Sequence, residues 1–446
     1  MKAIKLYPQD TVALATADLK RGEAVVVDGQ SIVLLDDIPN AHKIALKDFK
    51  EGEAIRKYDN IIGYASRPIR KGEWIHEHNE VTGLGKSKEY TYDFNPVSIF
   101  PGSSDDTFMG YDRGDAGAGI RNHLAIISTV FCANGPLKKL AKMAEEKYPA
   151  AENFDGVIAF DQQFGCSQTG QDLVTTCKII AGIAKNANFG GVLLVSNGCE
   201  MAIPTVLDDY LGEYDRKRIR TLTLQNVEDE FEEGMRLIDE IMAEVPEMMG
   251  AEHILMNRAA SQDIFQDIVD MMYAYDAYFA RYGEKAADNP TQGNKAGGLT
   301  TLEEKSLGCI QKGGHCAVME VLKYGDRATK NGFILISGPG KDLAGVSGQI
   351  AAGAVLTLFT TGRGTPCGFA GPTFRLASNT ALATRKKNWI DYDAGRLLTA
   401  KTPEEVEALN QELYNAVMAT VNGEYHTRTE ENGYYIMGAL KDGVTL

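Results

Sequence analysis

Three cysteines stand just past the carboxyl ends of apolar runs that read as buried strands. Cys132 closes Leu124-Ala-Ile-Ile-Ser-Thr-Val-Phe131, Cys166 follows Gly156-Val-Ile-Ala-Phe160 by a short polar turn, and Cys199 follows Gly191-Val-Leu-Leu-Val-Ser196. Between them lie 33 and then 32 residues, each the length of one helical crossover. In an open α/β sheet the loops at the carboxyl ends of parallel strands gather in one crevice, so thiols far apart in sequence can meet there. Three soft thiolates suit iron, or an iron–sulfur cluster with one open coordination position. A single cysteine is more often a small buried hydrophobe. Three in equivalent places, two of them in Gly-Cys steps, favour a functional site, with Cys132, Cys166 and Cys199 as candidate metal ligands.

Other groups could move protons or hold an anion. In Trp74-Ile-His76-Glu-His78-Asn79, His76 and His78 are two apart and on a strand would share a face, as metal ligands or as acid and base. Spacing alone favours a pair of exposed strand histidines, and His42, in a separate strand, has the same status. Asp112–His123 is Gly-rich and carries Arg121 and Asn122, able to wrap a carboxylate or hydroxyls, or simply a flexible domain entry. Asn289–Lys305 places Asn294 and Lys295 before a capping-box signature at Thr300/Thr301 and Glu303/Glu304, where a helix N-terminus would favour an anion. Lys295 would pair with a carboxylate or, if desolvated, act as a base. Phe359-Thr-Thr361-Gly362-Arg363-Gly364-Thr365-Pro366 follows an apolar strand directly. Its glycines let backbone N–H groups approach an anion, and Arg363 offers a planar fork that fits a carboxylate. It lacks the Gly-Lys-Ser/Thr ending of a nucleotide loop.

These residues need a scaffold, and the rest of the chain describes one. Residues 1–85 read as short strands joined by a device that recurs three times, Leu19-Lys-Arg-Gly-Glu23, Phe49-Lys-Glu-Gly-Glu53 and Ile69-Arg-Lys-Gly-Glu73. Residues 86–112 are polar and turn-rich, a linker. From 113 to 242 strand-like runs alternate with helices expected at Pro136–Glu146, Asp172–Asn186 and Glu228–Met242, a parallel α/β region. From 243 to 446 a second such region is expected, with helices Ile264–Tyr282 and Pro403–Val421 and strands Gly332–Ser337 and Val355–Phe359. The fold class is therefore α/β, a small β-rich N-terminal domain followed by two parallel α/β regions.

The 446 residues exceed one ordinary core. A net charge of −15 argues against non-specific nucleic-acid binding, which needs a basic face. No apolar stretch is long enough for a signal peptide or a bilayer span. Seven cysteines without a compact framework read as reduced thiols, hence a cytoplasmic protein. The expected partner is a small molecule, not nucleic acid or membrane, and the expected assembly is a homo-oligomer.

Taken together, several segments resemble the altronate/galactarate dehydratase family, in its altronate branch. They are Ile75-His76-Glu-His78-Asn79, Phe164-Gly-Cys166-Ser-Gln168, Gly198-Cys199-Glu200, Glu244-Val-Pro-Glu247-Met-Met-Gly-Ala-Glu252, Gly293-Asn-Lys-Ala-Gly-Gly298 with Thr301–Gly308, Thr361-Gly-Arg-Gly-Thr-Pro366, Trp389–Gly395 and Gly443-Val-Thr-Leu446. The resemblance spans nearly the whole chain. It implies an SAF-type β-clip domain at the N-terminus and an iron-dependent hydro-lyase, using Fe2+ or an iron–sulfur cluster with manganese as an alternative, that converts D-altronate to 2-keto-3-deoxy-D-gluconate. Galactarate or another 2-hydroxy acid such as sulfolactate is the alternative substrate. In this frame His76, His78, Lys295 and Arg363 are catalytic candidates, and Arg121, Asn122, Asn294, Gly362, Gly364 and Thr365 substrate-binding ones.

Two departures from the family pattern stand out. Where the family has a His four positions before the Cys of the Gly-Cys-Ser motif, this chain has Gln162. Before Glu244 the family carries a few dozen further residues with a Cys-Gly-Gly-Ser-Asp element, a strand and a helix, whereas here Glu228–Met242 runs straight into Ala243-Glu244-Val-Pro. The sequence is therefore expected to be abridged or to come from a degenerate copy, and a catalytically impaired sugar-acid-binding protein is the third reading.

Overall fold

The structure is a computed structural model that describes residues 2–83, 107–151, 153–202, 204–242, 249–251, 261–282, 292–301, 304–305, 312 and 317–441. It divides into two compact units, residues 1–99 with 256–319, and residues 100–255 with 320–446.

The first unit is built from short antiparallel strands: β1 (Ala3–Ile4), β2 (Val12–Ala15), β3 (Ala24–Val27), β4 (Gln30–Val33), β5 (Lys43–Ala45), β6 (Ala54–Lys57), β7 (Asn60–Ala65), β8 (Trp74–Ile75) and β9 (Glu80–Val81). They form the sheets β1-β2-β5-β8, β3-β4 and β6-β7-β9 around two small apolar clusters. The threefold turn device has a common geometry. Gly22, Gly52 and Gly72 have φ of +83°, +77° and +89°, which only glycine adopts without strain. In each turn the Glu that follows donates its N–H to the residue three back, Lys20, Lys50 or Arg70. At Gly72 a Cβ would stand 2.2 Å from the Val33 carbonyl oxygen, so glycine is also the only residue that fits. Helix α5 (Gln262–Tyr282) and the single turn α6 (Gln292–Lys295) come from far along the chain but belong to this unit.

The second unit opens with β10 (Phe108–Asp112), which takes up the last five residues of the expected linker, and β11 (Ala118–Gly119). Its central sheet has the order β13-β12-β14-β15, built from β12 (His123–Ser128), β13 (Val157–Phe160), β14 (Phe189–Ser196) and β15 (Ile219–Thr223), all parallel. Helices α1 (Asn134–Lys147) and α4 (Glu230–Met242) pack together over one apolar cluster. Helices α2 (Gly170–Ala184) and α3 (Pro204–Leu211) pack over the other. The central strands β12 and β14 are buried along their whole length, as a sheet covered on both faces requires. The chain leaves β12 for β13 on one side and then crosses to β14 on the other. The reversal makes a topological switch point beside β12, where ligands bind in open α/β sheets.

Strand β16 (Met249–Ala251) pairs antiparallel with β10, and β17 (Val318–Leu322) pairs with β18 (Phe333–Ile336). Helix α7 (Asp342–Ala352) crosses α2 at Gly182, where a Cβ would sit 2.6 Å from the Ala351 carbonyl oxygen. A second parallel sheet follows, β19 (Thr357–Thr361), β20 (Thr373–Ala377) and β21 (Tyr392–Asp393), with α8 (Thr380–Arg385), α9 (Pro403–Val421) and α10 (Arg428–Glu431). The architecture is α/β, antiparallel strands first and parallel sheets with helices after. Among the described residues no helix is long and apolar enough to cross a membrane.

Candidate functional sites

In the second unit the loops after β12, β13 and β14 interlock at the carboxyl edge of the sheet. Phe131 N–H donates to Phe164 O at 2.8 Å, and Met201 N–H donates to Gly165 O at 3.1 Å. Both Gly-Cys steps depend on glycine. Gly165 (φ +117°) and Gly198 (φ +110°) lie in the left-handed region, and a Cβ at Gly165 would stand 2.7 Å from Thr129 O. The turns deliver Cys132, Cys166 and Cys199 to one place, each exposed. Burial, then the charge and hydrogen bond of Cys132 and the charge of Cys199, push the Cys166 thiol pKa up. The three thiols are not drawn into a closed set: among the described residues no group of three or more His, Cys, Asp or Glu is arranged to hold a metal as it stands. The donor chemistry nevertheless fits iron, because the three are soft, exposed and mutually repelling when ionised.

Two residues hold this edge in place that the sequence did not single out for the purpose. Glu200 is buried under Cys199 and accepts from Ser196 Oγ (2.6 Å), Thr129 Oγ1 (2.7 Å), Gly198 N–H (2.7 Å) and Asn197 N–H (3.1 Å). Burial would raise its pKa, but these bonds hold it below the usual carboxylate value. Gln162, at the position where the resemblance led to the expectation of a His, is 5% exposed and turned inward. Its Oε1 accepts from Gln163 N–H at 2.9 Å, and its backbone exchanges two bonds with the Asn134 amide. It shapes the Cys166 loop and offers no metal ligand of the histidine kind.

The other expected anion-binding groups of this unit fall into two classes. Arg363 is exposed on the loop after β19, beside Gly362, Gly364 (φ +87°) and Thr365. The Gly364 N–H is engaged by Thr361 Oγ1 at 2.9 Å, and Thr365 Oγ1 accepts from Cys367 N–H at 3.3 Å. Arg121 and Asn122 are different and correct the expectation that they bind substrate. Arg121 is 1% exposed and its donors are spent inside the unit, on both Glu430 carboxylate oxygens and on the carbonyls of Ile120, Thr420 and Tyr425. Asn122 is fully buried, accepting from Arg113 and donating to the Asp155 carboxylate and Asn153 O. Both lock the entry of β12, buried among protein groups.

In the first unit the histidines are not on a strand face. Strand β8 stops at Ile75 because Asn79 closes a turn. Its side chain accepts from His76 N–H (2.9 Å) and donates to Trp74 O (2.9 Å), and Asn79 N–H returns to His76 O (2.9 Å). His76 and His78 meet instead across the Trp74 indole, with ring centroids 5.1 and 5.3 Å from it. His42, dismissed on spacing, joins them. It stacks on His76 at 5.1 Å and its Nδ1 accepts from Trp74 Nε1 at 3.1 Å. Burial first, then His76, depress the His42 pKa. His78 is also depressed, by burial and then by Arg67.

The Gly-rich segment lies against this cluster. Lys295 O meets His76 Nε2 at 3.0 Å, and the Lys295 ammonium pairs with the Glu77 carboxylate. Asn294 and Lys295 sit in the single turn α6, ahead of the residues capped by Thr301. The close approach needs Gly298 (φ +104°), where a Cβ would stand 2.5 Å from Ala41 O. Beneath it lies a buried network. Lys43 Nζ reaches Glu304 (2.7 Å), Thr300 Oγ1 (2.9 Å), Gly298 O (3.2 Å) and Glu80 (3.3 Å), and Lys57 Nζ reaches the other Glu304 oxygen at 2.8 Å. The capping signature resolves to Thr301, whose Oγ1 accepts from Glu304 N–H, with the Glu304 carboxylate accepting from Thr300 N–H.

Comparison with known proteins accounts for the whole chain. Residues 1–83 match the SAF domain of altronate/galactarate dehydratases, residues 110–246 the second domain of D-galactarate dehydratase/altronate hydrolase, and residues 236–445 the C-terminal domain of D-galactarate/altronate dehydratases. The chain is 37% identical to the altronate dehydratase of Bacillus subtilis, covering 99% of each chain. It is 34% identical to the altronate dehydratase of Escherichia coli, covering 100% of each. It is 29% identical to the galactarate dehydratase (L-threo-forming) of Escherichia coli, over 97% of this chain and 95% of that one. The fold and these matches define a hydro-lyase, an enzyme of the carbon–oxygen lyase class. The chain belongs to the altronate/galactarate dehydratase family.

The Bacillus alignment runs over 500 positions against a chain of 446 residues, so at least 54 of them face a gap here. The segment expected before Glu244 would fall at the junction whose residues 243–248 lie outside the described residues. An intact mass above the 48.6 kDa of this sequence is the expected result if residues were omitted from it. A mass of 48.6 kDa together with normal turnover would show that the segment is dispensable.

Proposed function

We propose that the protein dehydrates D-altronate to 2-keto-3-deoxy-D-gluconate with iron held by Cys132, Cys166 and Cys199, in the cytoplasm, where the thiols stay reduced. The observation that carries the reading is the delivery of three exposed thiols to one edge of the sheet, at its switch point, by loops that need two left-handed glycines. The higher identity to two altronate dehydratases than to the galactarate enzyme supports altronate as the first substrate to test. Bound there, iron supplies a Lewis acid for a poor leaving hydroxyl. The proton α to a carboxylate is weakly acidic, so the developing enediolate needs positive charge and donors nearby. Arg363 is the group proposed to take the carboxylate, with the Gly362–Thr365 loop shaping its approach.

Anaerobic iron reconstitution followed by a panel of sugar acids tests this reading. Keto-deoxy-acid formation from altronate above galactarate and sulfolactate is expected. Full activity with magnesium alone after exhaustive chelation would sink the iron assignment. Arg363→Lys keeps the charge and loses the bidentate fork. One charged hydrogen bond is worth roughly 1.5–3 kcal/mol, so kcat/KM is expected to fall about ten- to a hundredfold. Unchanged kcat and KM would place Arg363 outside the site.

A further inference from the structure

We propose that the Asn197 side-chain amide tunes the iron site through the Cys199 sulfur, and that it is the residue which favours the ferrous state there. The proposal rests on the iron reading above and deepens it, and every residue in it belongs to the second unit.

The three thiols are not equivalent. Cys132 and Cys166 hydrogen-bond to each other. Cys199 has a different neighbour: Asn197 Nδ2 donates to its Sγ at 3.1 Å. Among the described residues this is the one amide contact to the three sulfurs. A metal-bound cysteine is a thiolate with no hydrogen, so an amide facing it must present its N–H end. Asn197 therefore faces Cys199 in the sense that a bound metal needs.

The turn between the two residues is built to hold this donor. Asn197 N–H donates to Glu200 Oε1 at 3.1 Å, and Gly198 N–H donates to Glu200 Oε2 at 2.7 Å. Asn197 O accepts from Gln225 N–H at 3.2 Å. The Asn197 backbone is thus fixed on both sides. Gly198, at φ +110°, then turns the chain so that residue 199 comes back beside the residue 197 side chain. Glu200 is itself anchored by Ser196 at the end of β14 and by Thr129 just past β12. The amide is held by the same framework that delivers the sulfur.

An N–H aimed at sulfur puts partial positive charge beside an iron ligand. That charge stabilises the more negative, reduced state, and hydrogen bonds to the sulfurs are among the factors that set the potential of iron–thiolate sites. The sign is the same for one Fe2+ and for a cluster. Dehydration asks iron to act as a Lewis acid, with no net change in its oxidation state, so a donor that holds it reduced protects the site. The loss it resists is one electron passing from Fe2+ to dioxygen, which leaves Fe3+ and superoxide.

Two variants test the proposal. Asn197→Leu keeps the size and removes the donor. Asn197→Asp keeps the shape and sets a negative charge against the sulfur. Asn197 has no positive φ, so neither change strains the backbone. Wild type and both variants are reconstituted anaerobically with iron and titrated with redox mediators, and iron content and melting temperature are measured on the same samples. At a fixed potential the ferrous-to-ferric ratio is expected to fall about tenfold in Asn197→Leu, the low end of what a group behind a metal ligand contributes. For one electron that is a shift of about 59 mV. The ratio falls further in Asn197→Asp, an order that a merely structural role would not produce. Iron content and melting temperature stay at the wild-type values, because the side chain makes no other hydrogen bond among the described residues. An unchanged potential in both variants overturns the proposal. So does a potential in Asn197→Asp at or above that of wild type, or loss of iron from Asn197→Leu, which would make Asn197 a support of the loop. A wild type that takes up no iron sinks the iron reading and this proposal together, whereas a wild type that loads iron and shares its potential with both variants sinks the proposal alone.

Discussion

Glu304→Ala is expected to cost the protein about 3–5 kcal/mol of stability, because it strands Lys43 and Lys57 in the interior of the first unit. Each lysine loses a carboxylate oxygen within 2.8 Å. Glu80 is a poor substitute: it lies 3.3 Å from Lys43, and its Oε1 is buried without a partner. The pH dependence follows from the same contacts. Burial alone would raise the Glu304 pKa, but Lys43 and then Lys57 overcome it and hold the carboxyl at about 2. Its folded pKa is depressed, so its contribution is complete above the unfolded carboxylate range, near 4.3, and drains away as pH falls from there toward 2. Glu80 works in the opposite sense. Burial raises its pKa against the pull of Lys43, so its ionisation weakens the fold as pH rises past the unfolded value. Urea titrations of wild type and Glu304→Gln between pH 2 and 7, read from Trp74 fluorescence in a Trp389→Phe background, check both signs. A loss under about 1 kcal/mol in Glu304→Ala at pH 7 would show that the network carries no net stability.

Cys166→Ser and Cys199→Ser are each expected to lose bound iron and, with it, turnover by at least about 100-fold. Changes to groups merely behind a metal ligand already cost 10–100-fold. Serine keeps the size and removes the soft donor. Both thiols are exposed, so the melting temperature should hardly move, consistent with about 0.5 kcal/mol or less. Iron content after anaerobic reconstitution and melting temperature, measured on the same samples, separate ligand loss from unfolding. If both variants keep full iron and full turnover, the cysteines are structural.

The cysteine edge was legible because its logic is local. A buried run, a turn and a crossover repeat three times, and parallel sheets put every such turn on the same side. Helix α9 was legible to the residue, since Pro403 opens it and Thr402 accepts from Glu405 N–H. The histidine pair was misread because a period of two was assumed to continue past Ile75. Asn79, four residues on, folds the chain back instead. Arg121 looked like a ligand-binding group in a Gly-rich loop because its partner, Glu430, is 309 positions away. His42 and Lys43 were passed over for the same reason. Their worth comes from Ala296, Gly298, Thr300 and Glu304, and no periodicity near residue 43 encodes a partner 261 residues off.

That separation has a consequence for how the chain is made. N-terminal domains ordinarily finish folding as they leave the ribosome, at roughly 5–20 residues per second. Here Lys43 emerges 261 residues before Glu304, a delay of roughly 13–52 s at that rate. Through that interval the nascent strands can pair and Lys43 can lean on Glu80, but among the described residues the carboxylate that Lys57 pairs with is Glu304. The domain translated first is therefore completed only once about two-thirds of the polypeptide exists. Premature termination anywhere before residue 304 would leave it with an uncompensated internal cation, a ready mark for chaperones and proteases.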